Sequence, residues 1–163
     1  MIKRFGNILK VSLLIFIITG HSSCFKEKAS EENEAKIINN FLKERGIETE
    51  PTESGLYYIE LMEGTGIQPV AGDTVEIYYI GYFLSGGVFA YNMDGDPYRF
   101  ALGRGEVIAG LDEGISYMRE GGEAMLVVPS SLAYGSTGNY QMGISGYTPL
   151  GFEIILDNVI PGL

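Results

Sequence analysis

One cysteine, one histidine and no tryptophan occur among the 163 residues. The lone Cys24 excludes an internal disulfide, and His21 lies just before it, so neither residue serves the chain beyond position 24. Histidine-based catalysis and Cys/His zinc sites are thereby excluded from the folded part, and no metal or cofactor is expected. Positive charge is scarce as well: 11 Lys and Arg stand against 21 Asp and Glu. Three of those cations, Lys3, Arg4 and Lys10, precede the first acid, Glu27. Residues 24–163 therefore hold 8 basic and 21 acidic groups, a net charge of −13. A phosphate backbone repels such a body, which excludes nucleic acid as a partner.

Long apolar runs are also missing. Val11–Ile18 is apolar but far shorter than the ~20 residues a spanning helix needs. With its basic flank and the small residues that follow, the run has the plan of a secretory signal over residues 1–23, against the alternative of a buried core helix. Ser22-Ser23-Cys24 resembles the lipobox of bacterial lipoproteins, although His21 stands where an aliphatic residue is usual. The resemblance implies an exported, membrane-anchored lipoprotein with Cys24 acylated. An ordinary secretory signal with an incidental thiol is the alternative. Several acyl chains anchor stably where a single one binds marginally.

Residues 24–54 read as a charged connector. Ser30 is placed to cap a short helix with Ile37, Ile38, Phe41 and Leu42 on one stripe, and Gly46 to end it. The expectation is a stalk that packs weakly or not at all on the domain. A helix pairing two copies is the alternative.

From Gly55 the period changes. "GLYYIELMEG" reads as a strand, and "TVEIYYIGYF" alternates so that Val75, Ile77, Tyr79, Gly81 and Phe83 share one face. Gly86-Gly87 mark a tight turn before "VFAY", and "YRFALG" is a further short strand. Between Glu106 and Met118 the period is helical, with Val107, Ile108, Leu111, Ile115 and Met118 on one stripe. Gly110 and Gly114, four apart, suit close approach of that helix to a sheet. "EAMLVVP" and "GFEIILDNV" close the chain as strands, the last with Phe152, Ile154 and Leu156 inward. This predicts an α+β fold, a curved antiparallel sheet wrapped around one short helix. The open edge, lined by Val107, Ile108 and strand aromatics, forms an apolar cleft for a small ligand or peptide.

"SGLYYIELMEGTG", "GDTVEIYYIGYFLSGGVF", "PYRFALGRGEVIAGLDEGISYMREGGEAMLVVPSSLAYG" and "GFEIIL" follow one another in order. Together they resemble the FKBP-type peptidyl-prolyl isomerases, the macrolide-binding immunophilins, over about residues 55–163. The signal and lipobox look like membrane-anchored members, some of which belong to the gliding-motility group. The resemblance implies an isomerase acting on proline-containing polypeptides, with a macrolide as a further ligand. It assigns Tyr79, Phe89, Ile108 and Tyr134 to catalysis, with the Ile108 N–H and the Tyr134 hydroxyl as donors. It assigns Tyr98, Val107, Leu111, Ile144 and Phe152 to the walls, floor and rim. Taken singly, Leu111, Phe152 and Phe89 read as core residues.

Two positions depart from the family pattern. Ala90 stands where an aspartate commonly follows the wall aromatic and bonds the cleft tyrosine, with Asp94 and Asp96 nearby in sequence. Ile144-Ser145-Gly146 replaces the usual "I-P-P" of the rim loop. Two functions stay open: an isomerase assisting folding of exported proteins, and a non-catalytic binding module of a motility or secretion assembly. Other motifs do not hold. In "ALGRGEVIAG" Ile108 occupies the third glycine of a dinucleotide fingerprint. Around "NMDGD" Ala90 and Ala101 occupy the terminal ligand positions of a calcium loop.

Overall fold

The period-two pattern is cleanest in β2, Thr74–Phe83, and this strand is the spine of the sheet. The computed structural model describes residues 19–162, so the run Val11–Ile18 of the expected signal lies outside the described residues. One edge of β2 pairs along its length with β6, Leu150–Ile160, from Thr74↔Ile160 to Phe83↔Leu150. The other edge is shared by two short strands. β3, Val88–Asn92, takes residues 79–82, and β4, Tyr98–Ala101, takes Thr74–Ile77. β5, Glu123–Val128, pairs with β6, and β1, Tyr57–Met62, forms the far edge. All pairings are antiparallel, in the order β1-β5-β6-β2-β3.

Val75, Ile77, Leu126, Phe152, Ile154 and Leu156 line the concave face with Leu111, Ile115 and Met118. This is the wrapped α+β arrangement that the periodicities predict. The inner helix, α2, spans Ala109–Tyr117 rather than starting at Glu106. Ile108 is its N-cap in an extended conformation, φ −62° and ψ 148°. No side chain caps this end; instead the Asp112 carboxylate accepts N–H bonds from Gly103 at 3.0 Å and Gly105 at 3.2 Å. Val107 and Ile108 therefore face the cleft from an extended segment.

The connector differs from the expected loose stalk. Among the described residues it holds a helix, α1, running Thr19–Glu44, with Ser30 in its interior rather than at its start. Gly46 at φ +65° ends it, and the Ile47 N–H reaches back to the Leu42 carbonyl at 2.9 Å. Ile38, Phe41 and Leu42 are buried with Met125 and Val127 on the convex face of the sheet. The stripe that could have paired two copies is thus occupied by the chain's own sheet. β5 is covered on both sides, Leu126 and Val128 toward α2, Met125 and Val127 toward α1. Burial on both faces is why its sequence is continuously apolar rather than alternating. Among the described residues no helix is long and apolar enough to cross a membrane.

Candidate ligand cleft

The sheet curls past α2 and leaves a cleft of about 160 Å³ at the N-terminal turn of the helix. Its floor is Ile77, Leu111 and Phe152, all buried. Tyr79 comes from β2, Phe89 and Ala90 from β3, and Tyr98 from β4. Glu106, Val107 and Ile108 close it from the segment before α2, and Tyr134 and Met142 from the loop between β5 and β6. Eight residues that the resemblance names are therefore brought together: Tyr79, Phe89, Tyr98, Val107, Ile108, Leu111, Tyr134 and Phe152.

The aromatic wall is built edge to face. Phe89 meets Phe152 with ring centroids 5.7 Å apart at 89°, and Tyr79 meets Tyr98 at 6.0 Å and 72°. Such pairs place the positive ring edge on a negative face. Gly81 makes room for the first pair: a β-carbon there would lie 2.8 Å from Phe89 Cζ and 3.0 Å from Phe152 Cε1.

Polar groups in the cleft are few. Among the described residues the Tyr134 hydroxyl donates only to the Met142 sulfur, at 3.4 Å, a weak acceptor that a carbonyl oxygen would displace. Ile108 donates no backbone hydrogen bond to any described residue, although its carbonyl accepts from Leu111 and Asp112. The Tyr79 hydroxyl has no hydrogen-bond partner among the described residues. Burial first, then the phenols of Tyr98 and Tyr134, push Tyr79 above the ordinary tyrosine value of 10.0. It therefore stays a neutral donor. Asp94 does not stand in for the missing aspartate: it accepts from Tyr91 at 3.1 Å, and neither it nor Asp96 lines the cleft.

Ile144 is placed differently from the expectation. It is 1% exposed and does not line the cleft. Two backbone bonds at 2.8 Å tie it to Asn139, and left-handed Gly143 at φ +71° turns the chain between them. That turn sends Ile144 into the core and leaves Met142 at the rim. Met142 was not predicted; its only sequence signal is a large apolar side chain in a glycine-rich loop that also holds Tyr140 and Ile144. Ile77 was not predicted either; the alternation puts it on the same strand face as Tyr79 without singling it out for the cleft.

A half-wrapped antiparallel sheet with an aromatic cleft at the start of its inner helix defines the class. The model of the FKBP-type peptidyl-prolyl cis-trans isomerases matches residues 65–157. The chain belongs to that family. It is 44% identical over 93 residues to FK506-binding protein 4 of Emericella nidulans, covering 57% of this chain and 19% of that protein. A chloroplastic peptidyl-prolyl cis-trans isomerase of Arabidopsis thaliana is 37% identical over 116 residues, 69% of this chain and 52% of that one. The chain thus spans about a fifth to a half of these relatives' length. Among solved structures, a peptidyl-prolyl cis-trans isomerase from Pseudomonas syringae pv. tomato superposes with TM-score 0.71 at 31% identity. It covers 83% of this chain and 96% of that one. FkpA from Escherichia coli also gives 0.71 at 30% identity, covering 99% and 76%.

Proposed function

We propose that the protein is a peptidyl-prolyl cis-trans isomerase that works by desolvation. Rotation about an X–Pro amide takes tens to hundreds of seconds unaided because twisting it destroys resonance. The twisted amide has less charge separation than the planar one. A cleft that strips water from the bond therefore favours the twisted state, which is catalysis by differential binding with no covalent step. Phe89, Tyr98, Val107, Leu111 and Phe152 form the dry box for the proline ring, and the Ile108 N–H and Tyr134 hydroxyl hold flanking carbonyls. The single observation carrying this is the convergence of those residues on one cleft whose donors are not committed to strong internal acceptors.

Acceleration of proline-peptide isomerisation by the folded chain tests it. A folded sample that gives only the buffer rate leaves the rival reading, a non-catalytic binding module of a motility or secretion assembly. Ala90 is the feature that favours that reading. A macrolide such as FK506 is expected to compete for the cleft.

We further propose that the protein is exported and held at a membrane by acylated Cys24, where its clients are exported polypeptides. The basic flank, the apolar run and Ser22-Ser23-Cys24 support this. Metabolic labelling with a fatty acid tests it: incorporation lost in Cys24→Ser is expected, and equal labelling of both forms would overturn it.

A further inference from the structure

Glu34 is an acid only 7% exposed, on the face of α1 that meets the sheet. It lies four residues before Ile38 and seven before Phe41, so it continues the buried stripe by one turn. Both of its carboxylate oxygens are committed to a single residue 96 positions away. Ser130 donates its backbone N–H to Oε1 and its hydroxyl to Oε2, the latter at 2.7 Å.

Ser130 opens the short 3-10 turn Ser130–Leu132 that follows β5, and it is itself 4% exposed. Its carbonyl accepts from the Ala133 N–H at 2.9 Å and the Gly135 N–H at 2.7 Å. Those two residues flank Tyr134, the cleft tyrosine. Every polar group of Ser130 is thus engaged, two donors toward α1 and one acceptor toward the peptide units on either side of Tyr134.

From this geometry we infer that Glu34 is a positioning residue for the cleft. The N-terminal helix grips Ser130 through a buried carboxylate, and Ser130 in turn sets where the Tyr134 hydroxyl is held. The inference rests on the isomerase reading of the cleft. The grip ends on the turn that leads directly into Tyr134, one of the cleft donors. Charge-assisted bonds of this kind are roughly twice as strong as neutral ones, which suits a brace on a loop.

The test uses the full chain in mild detergent and compares Glu34→Ala, Glu34→Gln, Tyr134→Phe and the Glu34→Ala/Tyr134→Phe double variant. Glu34→Ala is expected to lower kcat/KM by up to about fivefold, no more than removing the Tyr134 hydroxyl itself. Glutamine keeps one acceptor for the Ser130 N–H and offers its amide N–H to the hydroxyl oxygen, so Glu34→Gln should recover activity to within about threefold of the wild type. In the Tyr134→Phe background the alanine effect should largely vanish, because both changes act through one hydroxyl. Losses that simply multiply would overturn the positioning role. Amide hydrogen exchange supplies a readout independent of activity. Residues 130–138 should exchange faster in Glu34→Ala while β2 and β6 stay protected, and unchanged exchange there would overturn the grip itself. If the wild type proved inactive while exchange responded in this way, the isomerase reading would fall and the grip would stand. Should Glu34→Ala not fold, Ser130→Ala, which removes only the hydroxyl bond, replaces it in the same cycle with an expected loss of about threefold.

Discussion

Gly110 of α2 lies so close to Val128 of β5 that a β-carbon built on the glycine would stand 2.4 Å from Val128 Cγ1. Gly114, one turn on, has the same relationship to Leu126, again at 2.4 Å. The two glycines let the helix sink onto the sheet, and that depth sets the floor of the cleft. Alanine would gain about 1 kcal/mol in helix propensity, but overpacking a buried contact costs about 1–3 kcal/mol. Packing wins. Gly110→Ala should lower the midpoint of thermal unfolding, by about 2–4 °C for each kcal/mol lost.

Tyr134→Phe should leave the fold intact and lower kcat/KM about fivefold, the worth of one neutral hydrogen bond. Its hydroxyl supports only a weak bond to Met142 at present, so stability should hardly move. Unchanged kinetics in a peptide assay would remove this hydroxyl from the mechanism.

Ala90 lines the cleft beside a Tyr79 hydroxyl that has no partner among the described residues. Ala90→Asp supplies an acceptor and should raise kcat/KM by about fivefold if orienting Tyr79 limits the rate. An identical rate for the two proteins would show that the carboxylate is dispensable here.

Tyr79 is raised above 10.0 by burial, then by its two phenolic neighbours, so it remains protonated throughout the neutral range. The isomerisation rate is therefore expected to be flat from about pH 6 to about pH 9. A rate that bends within that range would assign the chemistry to another group.

Tyr82 carries a buried hydroxyl with no partner among the described residues, and its ring packs against Phe41 of α1 at 6.2 Å. Burial first, then Glu153, raise it from 10.0 to about 12, with Arg45 opposing. Its folded pKa is above its unfolded one, so its contribution is full below pH 10 and is lost as pH rises toward about 12. Tyr82→Phe removes the unsatisfied group and should stabilise the fold by about 1 kcal/mol at neutral pH. Denaturant titration at neutral and alkaline pH measures both effects, and a destabilised Tyr82→Phe would reveal a bond that the hydroxyl does make.

Local pattern carried much of this protein. Alternation in Thr74–Phe83 placed Tyr79 inward, the 3.6-residue period placed Leu111 on the buried stripe of the helix, and paired glycines announced a tight helix–sheet contact. Those signals are local because side-chain direction follows from backbone period alone. Three features could not be read this way. Ile144 and Met142 exchange core and rim through one left-handed glycine, and a single such turn reverses side-chain direction without altering hydropathy. The docking of α1 depends on whether an apolar stripe finds its own sheet or another surface, and strand residues distant in sequence, from Tyr82 to Met125 and Val127, decide that. The same holds for Glu34 and Ser130, each an ordinary polar residue in sequence. Only the folded chain, by excluding water from both at once, turns them into partners.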